Sequence, residues 1–289
     1  MDERDFEILS VVNTYRNITK AAEALYVTQS ALSKRISAIE NELDTQILIR
    51  SRNGVYFTPE GEELLEGVEK VRKILQFTRE KLVNSNGTIS GNLTVGVSIN
   101  YTLFRLPKVL AAYQQRFPNV TMHISSDNSR KLYNQLLQGR IELVIVRGEY
   151  PWKGKQVLIS REKICAIKSR KNQDKDFSEL NYIGRKTDLS YERELVQWFH
   201  ENNIDLTKQT AYVDNLTACV ELVKAANSWT IVPEICLDQF DGEIYPLTFE
   251  DGSPFVRSTY LIYSQAVGEL PQVREFINLI KELSKEEEL

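Results

Sequence analysis

The chain has 289 residues, of which 42% are hydrophobic and 26% are charged, and its formal net charge is -4. This length accommodates about two domains, and the acidic balance excludes a generally basic coat, so a nucleic-acid site would have to be a local cluster of Lys and Arg. Neither a cleavable leader nor a run of roughly 18 apolar residues occurs, which predicts a cytoplasmic protein without a membrane partner.

The first 58 residues predict three short helices followed by a hairpin. Apolar spacing over residues 6–12 indicates the first helix, and Thr19 and Thr28 are expected to cap the second and third. The dipeptide Asn53-Gly54 lies between two short extended runs and predicts a tight turn. Residues 1–58 are therefore interpreted as a winged helix-turn-helix domain.

A long helix is predicted next, over residues 59–84, because Thr58 can cap it and Pro59 suits its first position. Its apolar residues recur at spacings of four and three, which is typical of a coiled-coil seam and predicts a dimerisation helix. The alternative is that this stripe packs on its own domain. The expected dimerisation residues are Leu64, Val68, Val71, Leu75 and Leu82.

Residues 85–91 are expected to form a hinge, and strand-like and helical runs alternate from residue 92 to residue 289. This alternation predicts βαβ units around a largely parallel sheet. Crossings near Ser160 and Ser258 would divide the region into two lobes. The first would hold residues 92–160 and 258–289, and the second would hold residues 161–257.

The third helix has an outer face that its apolar stripe of Leu32, Ile36 and Ile39 does not explain. This face carries short hydrogen-bonding side chains and one cation, as a helix in the major groove of DNA requires. Arginines before the hairpin turn are placed to reach the flanking backbone or the minor groove. The predicted DNA-binding residues are Thr28, Gln29, Ser30, Ser33, Lys34, Arg50 and Arg52.

The segment "ITKAAEALYVTQSALSKRI", with Leu9, Val12 and Arg50 and with "FTPEG" after the wing, resembles the LysR-type transcriptional regulators. Weaker similarity continues through "LPKVLAAYQQRFPNV", "LLQGRIELVIV" and "IVPE". The resemblance implies an α/β effector domain of the periplasmic-binding-protein type and a bacterial regulator of transcription. It also implies that double-stranded operator DNA, a small-molecule effector and further copies of the chain, as dimer or tetramer, are its partners. RNA polymerase is a further candidate partner.

The effector is expected at the carboxyl ends of the strands, where ligands bind in open α/β sheets. Six residues are nominated at these ends, although each Ser, Thr or Asn can equally be a helix cap. Arg147 can hold a carboxylate or phosphate, which favours an anionic effector, or it can form a structural ion pair. The nominated residues are Ser98, Asn100, Thr102, Asn128, Arg147 and Thr217.

No catalytic, cofactor or metal motif is apparent. "GVSIN" fails the nucleophile-elbow pattern, phosphate-binding loops do not occur, and His123 and His200 lack ligand spacing. The odd and widely spaced Cys165, Cys219 and Cys236 suggest reduced thiols. The sequence therefore predicts no enzyme and no cofactor. Two alternatives stay open, a ligand-binding protein whose first domain serves assembly and an enzyme on the α/β domain.

Overall fold

The computed structural model describes residues 1–51, 54–83, 88–204 and 209–286. The chain forms two compact units, Met1–Asn86 and Gly87–Leu289. Arg52, residues 85–87 of the expected hinge and the side chain of Leu82 lie outside what is described. Of the helices within the described ranges, none combines the length and apolar character that a bilayer crossing requires.

The first unit has the predicted order of three helices, a hairpin and a long helix. Its elements are α1 (Glu3–Tyr15), α2 (Ile18–Ala24), α3 (Gln29–Leu43), β1 (Leu48–Ser51), β2 (Gly54–Phe57) and α4 (Pro59–Val83). The buried faces of the three short helices meet the inner side of the hairpin in one hydrophobic core. The winged helix-turn-helix fold predicted for this region is confirmed.

The capping side chains determine where these helices begin. Thr28 caps α3 and Thr58 caps α4, each by accepting a hydrogen bond from the backbone N–H three residues later. For α2 the prediction was wrong, because Asn17 is the cap and Thr19 already lies in the first turn. An extended residue just before the helix can turn its side chain back on the free N–H groups, whereas a residue inside the first turn cannot.

The hairpin pairs Ser51 with Gly54, so Gly54 is the first residue of β2. The sequence analysis had placed Gly54 in the turn, and this was wrong. Its φ is 130°, and a Cβ atom there would lie 2.5 Å from the carbonyl oxygen of Arg16. That oxygen accepts a hydrogen bond from the N–H of Val55 at 2.9 Å. Glycine is therefore required at position 54 by the close approach of the wing to the end of α1.

The helix α4 divides its apolar stripe between the core and the surface. Val68 is only 3% exposed and Leu64 packs against the same core of the first unit. These two residues thus pack within their own unit, which is the alternative considered for this stripe. Further along, Leu75 is half-buried, whereas Val71 and Ile74 are 40% and 64% exposed.

The second unit is built on a nine-stranded sheet flanked by helices. Its elements are β3 (Gly91–Ser98), α5 (Ile99–Phe104), α6 (Leu106–Arg116), β4 (Val120–Asp127), α7 (Ser129–Leu137), β5 (Leu143–Arg147), β6 (Lys155–Ser169), β7 (Asn181–Arg185), α8 (Leu189–Glu201), β8 (Gln209–Val213), α9 (Leu216–Ala225), β9 (Ser228–Pro233), β10 (Gly242–Pro246), β11 (Val256–Tyr263), α10 (Gln265–Gly268) and α11 (Pro271–Glu286).

The strand order is β4-β3-β5-β11-β6-β9-β7-β8, with β10 also paired to β6. The pairings β4-β3-β5 and β9-β7-β8 are parallel, whereas β11 and β6 pair antiparallel with each other and with their neighbours. The expectation of a largely parallel sheet is therefore wrong for its centre. There β6 carries the chain from one half of the sheet to the other and β11 brings it back, so the two strands run in opposite directions.

The strand β6 belongs to both halves of this sheet. Its residues 155–163 pair with β11, and its residues 164–168 pair with β9. The pairing with β11 shifts register between Thr259 and Tyr260, which face Ser160 and Leu158. Ile159 is thus left without a partner in that ladder, as in a β-bulge.

Candidate nucleic-acid interface and ligand cleft

The amino-terminal end of α3 presents a polar surface. Thr28, Gln29, Ser30 and Lys34 are exposed there and Ser33 is half-buried, while Leu32, Ile36 and Ile39 are buried on the opposite side. The amide nitrogen of Gln29 donates to the Ser33 hydroxyl at 3.1 Å, and the hydroxyls of Thr28 and Ser30 lie 3.1 Å apart. The structure thus brings five of the seven predicted DNA-binding residues together on one helix end.

The wing contributes less to the described surface. Arg50 is exposed in β1, opposite Val55, and Arg52 lies outside the described residues. Ile49 and Tyr56 face each other across the hairpin and are each about half exposed. This pair offers an apolar contact surface on the face of the hairpin opposite to Arg50, because successive side chains of a strand alternate between its faces.

An ion pair that the sequence analysis did not anticipate ties α3 to α1. Arg35 donates to both carboxylate oxygens of Asp5, at 2.6 and 2.7 Å, and Asp5 is completely buried. Burial opposes the charge of Asp5, but hydrogen bonds from Arg35 and from the N–H of Asp2 hold the pKa of this carboxyl below its usual value. Acid and base lie 30 residues apart, and no local pattern links them. The pair ties α3 to α1, and Lys34, the residue before Arg35, is exposed.

In the second unit, three of the nominated residues meet after β3. The Thr102 hydroxyl donates to the carbonyl oxygen of Ser98 at 3.1 Å and accepts from the Ser126 hydroxyl at 3.1 Å. Ser98 is 3% exposed, and its hydroxyl has no hydrogen-bond partner among the described residues. Asn100 follows in α5 and is half-buried.

Two nominated residues are occupied elsewhere or isolated. The Asn128 side chain caps α7 by accepting from the N–H of Lys131 at 2.9 Å, which is the alternative considered for it. Thr217 is exposed in the first turn of α9, where Asn215 provides the cap. Within the described ranges, no hydrogen bond links Thr217 to the nominated residues of the first lobe.

Arg147 lies at the end of β5 and is buried with Glu162 of β6. Its Nη2 atom donates to Glu162 at 2.7 Å, and the two side chains are only 10% and 9% exposed. Burial lowers the pKa of Arg147, the charge of Glu162 opposes this, and the charges of Arg257 and Arg185 add to the lowering. Arg147 thus forms the structural ion pair through Nη2, and its Nε, which has no partner among the described groups, could still bind an anion.

Two further arginines converge on Tyr191 near Arg147. The guanidinium carbons of Arg257 and Arg185 lie 4.9 and 5.9 Å from the centre of the Tyr191 ring. Arg257 pairs with Asp188 at 2.6 Å, whereas the described part of the chain offers Arg185 no ion-pair partner. Burial raises the pKa of Tyr191 to about 12, and the charges of all three arginines act on this phenol in the opposite sense.

We call Arg147, Arg185, Tyr191 and Arg257 the arginine cluster. Of these four residues, the sequence analysis nominated Arg147 alone and missed Arg185, Arg257 and Tyr191. The available signal was the position of Arg185 and Arg257 at the end of β7 and the start of β11. Buried polar atoms here and nearby lack partners among the described residues; they are Ser98 Oγ, Arg147 Nε, Arg185 Nε, Tyr191 Oη and Thr259 Oγ1.

A cavity of about 640 Å³ opens beside α8 and borders the arginine cluster, because Glu194 in its lining lies 3.8 Å from Nη1 of Arg257. Its lining includes Glu194, Glu201, Glu250 and Asp251. Four carboxylates repel an anion, so this cavity does not suit the anionic ligand that the arginine cluster favours.

The three cysteines lie in apolar surroundings. Burial raises the pKa of Cys165 to about 11 and that of Cys236 to about 12, and it also raises the pKa of Cys219. A thiol with a raised pKa is largely protonated at neutral pH and reacts slowly with oxidants. In the described residues no group of three His, Cys, Asp or Glu is arranged to hold a metal ion.

The chain matches two family models. Residues 86–285 match "LysR substrate binding domain", and residues 4–62 match "Bacterial regulatory helix-turn-helix protein, lysR family". It is 30% identical to the HTH-type transcriptional regulator YraN of Bacillus subtilis (strain 168), over 97% of this chain and 98% of that protein.

Two solved structures share the fold over nearly the whole chain. One is full-length CbnR complexed with its target DNA, with a TM-score of 0.67, 18% identity and coverage of 98% of this chain and 99% of that one. The other is full-length OxyR of Pseudomonas aeruginosa, with a TM-score of 0.70, 15% identity and coverage of 99% and 95%.

Proposed function

The chain belongs to the LysR family of bacterial transcriptional regulators, and on that premise we propose which side chains read DNA and which class of molecule is sensed. It is a DNA-binding regulator with an effector-binding domain, and the family consists of regulators rather than enzymes. The proposal places it in the cytoplasm, where its DNA is.

The amino-terminal end of α3 is the base-reading surface in this proposal. Gln29, Ser30, Ser33 and Lys34 enter the major groove, while Thr28, Arg50 and Arg52 bind the flanking sugar-phosphate backbone. The observation that supports this most directly is the exposed polar end of α3, which its own unit does not bury. Paired subunits would then meet two half-sites of a pseudo-palindromic operator, roughly ten base pairs or a multiple of that apart.

The experiment replaces Gln29 with Ala and measures binding to DNA selected from a random pool by the wild-type protein, at fixed salt. We expect a loss of about 1–3 kcal/mol on the selected site and relaxed preference at one base position. The matched control is Gln115→Ala, the same change on the exposed face of α6 in the second unit. Equal weakening on every sequence would show that Gln29 does not read a base.

The effector in this proposal is a small anion, a carboxylate or a phosphate, bound at the arginine cluster. Arg185 provides a cation for which the described residues offer no ion-pair partner, and Nε of Arg147, unpartnered among the same residues, provides a second donor. Ser98, Asn100 and Thr102 would provide neutral hydrogen bonds, with Asn128 and Thr217 at the periphery. Support comes from the convergence of three guanidinium groups and several unpartnered buried polar atoms.

The test uses a panel of small carboxylates, sugar phosphates and inorganic phosphate, each beside a neutral amide or alcohol of the same skeleton. Binding is read from the thermal shift of the second unit, which contains all three tryptophans, Trp152, Trp198 and Trp229. We expect Arg185→Gln to weaken the binding of the active anion by roughly tenfold or more. Arg193→Gln, an exposed arginine on α8, is the control. Equal protection by the neutral analogue would contradict an anionic effector.

Ligand binding regulates transcription in this proposal by favouring one arrangement of the lobes, which requires unequal affinity for the arrangements. Self-association is proposed through the exposed side of α4, where Val71 and Ile74 lie. The proposed assembly is a dimer or a tetramer. RNA polymerase is its proposed further partner.

A further inference from the structure

The turn between α2 and α3 holds a tyrosine in a conformation that tyrosine rarely adopts. Tyr26 has a φ of 55°, in the left-handed region. Its N–H donates to the carbonyl of Glu23 at 3.1 Å, and the next N–H, of Val27, donates to that of Ala22 at 3.0 Å. This closing pattern usually has glycine or asparagine at the left-handed position, because a Cβ atom there lies too close to the following carbonyl oxygen.

Nothing inside the described unit compensates this strain. The Tyr26 side chain is 96% exposed, and among the described residues its hydroxyl has no hydrogen-bond partner. The other left-handed residues differ. Arg16 lies over the Phe57 ring and pairs with Glu62, while Asp44 and Asn203 are types that tolerate this region. Tyr26 combines a bulky side chain, backbone strain and full exposure.

The position of Tyr26 shows which surface it belongs to. It lies two residues before Thr28, the cap of α3, whose first turn carries the exposed Gln29 and Ser30. A recognition helix approaches the major groove with this end, so the preceding turn meets the sugar-phosphate backbone at the edge of the groove. Tyrosine hydroxyls are among the groups that bind phosphate oxygens there.

We infer that Tyr26 is a DNA-backbone contact, with its hydroxyl donating to a phosphate oxygen beside the groove that α3 enters. The inference rests on the proposal that this end of α3 faces DNA. Because the phenol is neutral, the contact adds affinity on any sequence without adding to counterion release. The left-handed backbone holds the side chain away from its own unit and towards this partner.

The test compares Tyr26→Gly, Tyr26→Phe and a matched control, Asp44→Gly, in the full chain. Asp44 closes α3 with the same pair of backbone hydrogen bonds and a φ of 49°. Tyr26→Gly should raise the urea midpoint followed by far-UV circular dichroism, which reports both units, and should leave the tryptophan-fluorescence midpoint of the second unit unchanged, because it removes left-handed strain from the first unit. Asp44→Gly should change the far-UV midpoint less, because Asp tolerates the left-handed region. Only the Tyr26 variants should lose affinity.

For both Tyr26 variants we expect roughly tenfold weaker binding on selected and random DNA alike, with unchanged base preference and an unchanged slope of log K against log salt. Wild-type affinity of Tyr26→Phe would overturn the phosphate hydrogen bond, and so would a loss shared by Asp44→Gly. If Gln29→Ala still loses base preference while the Tyr26 variants bind normally, this inference fails and the proposed function stands. If Gln29→Ala also behaves as wild type, the recognition surface itself is misplaced.

Discussion

Removal of Glu162 should strongly destabilise the second unit. Glu162→Ala takes the carboxylate from a guanidinium whose side chain is only 10% exposed and leaves the charge of Arg147 buried without its partner. Removing one member of a buried pair costs about 3–5 kcal/mol, because the remaining ion keeps its desolvation penalty and loses the attraction that offset it. For a urea dependence of about 2–3 kcal/mol per molar, the unfolding midpoint falls by roughly 1–2 M.

The assay is urea unfolding followed by tryptophan fluorescence, which reports the second unit alone because Trp152, Trp198 and Trp229 all lie there. Far-UV circular dichroism, which also reports the first unit, provides an internal comparison. Glu221→Ala is the matched control, because it breaks a Glu–Lys pair of the same 2.7 Å length on the surface. Such exposed pairs contribute little, so its midpoint should hardly move.

The double variant Arg147→Met with Glu162→Leu separates stability from function. Replacing both charges by apolar side chains removes the desolvation penalty, so stability should return close to that of the wild type. The response to the active anion should be lost in the double variant, because it lacks the guanidinium of Arg147 that the proposed site uses. A single variant that unfolds at the wild-type midpoint, or a double variant as unstable as Glu162→Ala, would refute this account of the pair.

The remaining predictions concern the first unit. The folded pKa of Asp5 is lowered, so the stability it contributes is present above its unfolded pKa of about 3.9 and is lost as pH falls through the lower folded value. Asp5→Asn should therefore lower the far-UV urea midpoint at pH 7 and flatten its decline below pH 4, and an unchanged midpoint at pH 7 would contradict this. Ile74→Lys places a charge on the exposed side of α4 and should shift sedimentation towards monomer, whereas Leu137→Lys, a similarly exposed position in α7, should not. An unchanged association state of Ile74→Lys would exclude that side of α4 as the interface.

Local chemistry made the first unit largely predictable from sequence. Thr28 and Thr58 cap their helices as expected, because a cap depends on residues only three positions away. The same reasoning misplaced the cap of α2 by two residues, since Asn17 and Thr19 are both capable types. An apolar stripe also does not say which surface covers it, so the sequence could not show that Val68 packs in the core of its own unit.

The second unit shows where such reasoning ends. The alternation of strands and helices identifies βαβ units, but it carries no information about the antiparallel pairing of β6 with β11, which joins residues almost 100 positions apart. Arg147, Arg185 and Arg257 come together only through that pairing and through the ends of β5 and β7. The strand-end rule found Arg147 and also applies to Arg185 at the end of β7, whereas Arg257 lies near the start of its strand and escapes the rule.

The continuity of β6 limits how the two lobes can move. Two lobes joined only by flexible linkers can move apart easily. In this unit both lobes share the strand β6, which is hydrogen-bonded to β11 in one half of the sheet and to β9 in the other. Relative motion of the lobes therefore requires the sheet to twist. The strand ladder is interrupted at Ile159, opposite the step from Thr259 to Tyr260. A bulge of this kind lets the strand bend and twist locally, so we expect the sheet to twist there. Thr259 is also the register partner of Arg147. A ligand bound to Arg147, as proposed, would therefore act next to this bulge.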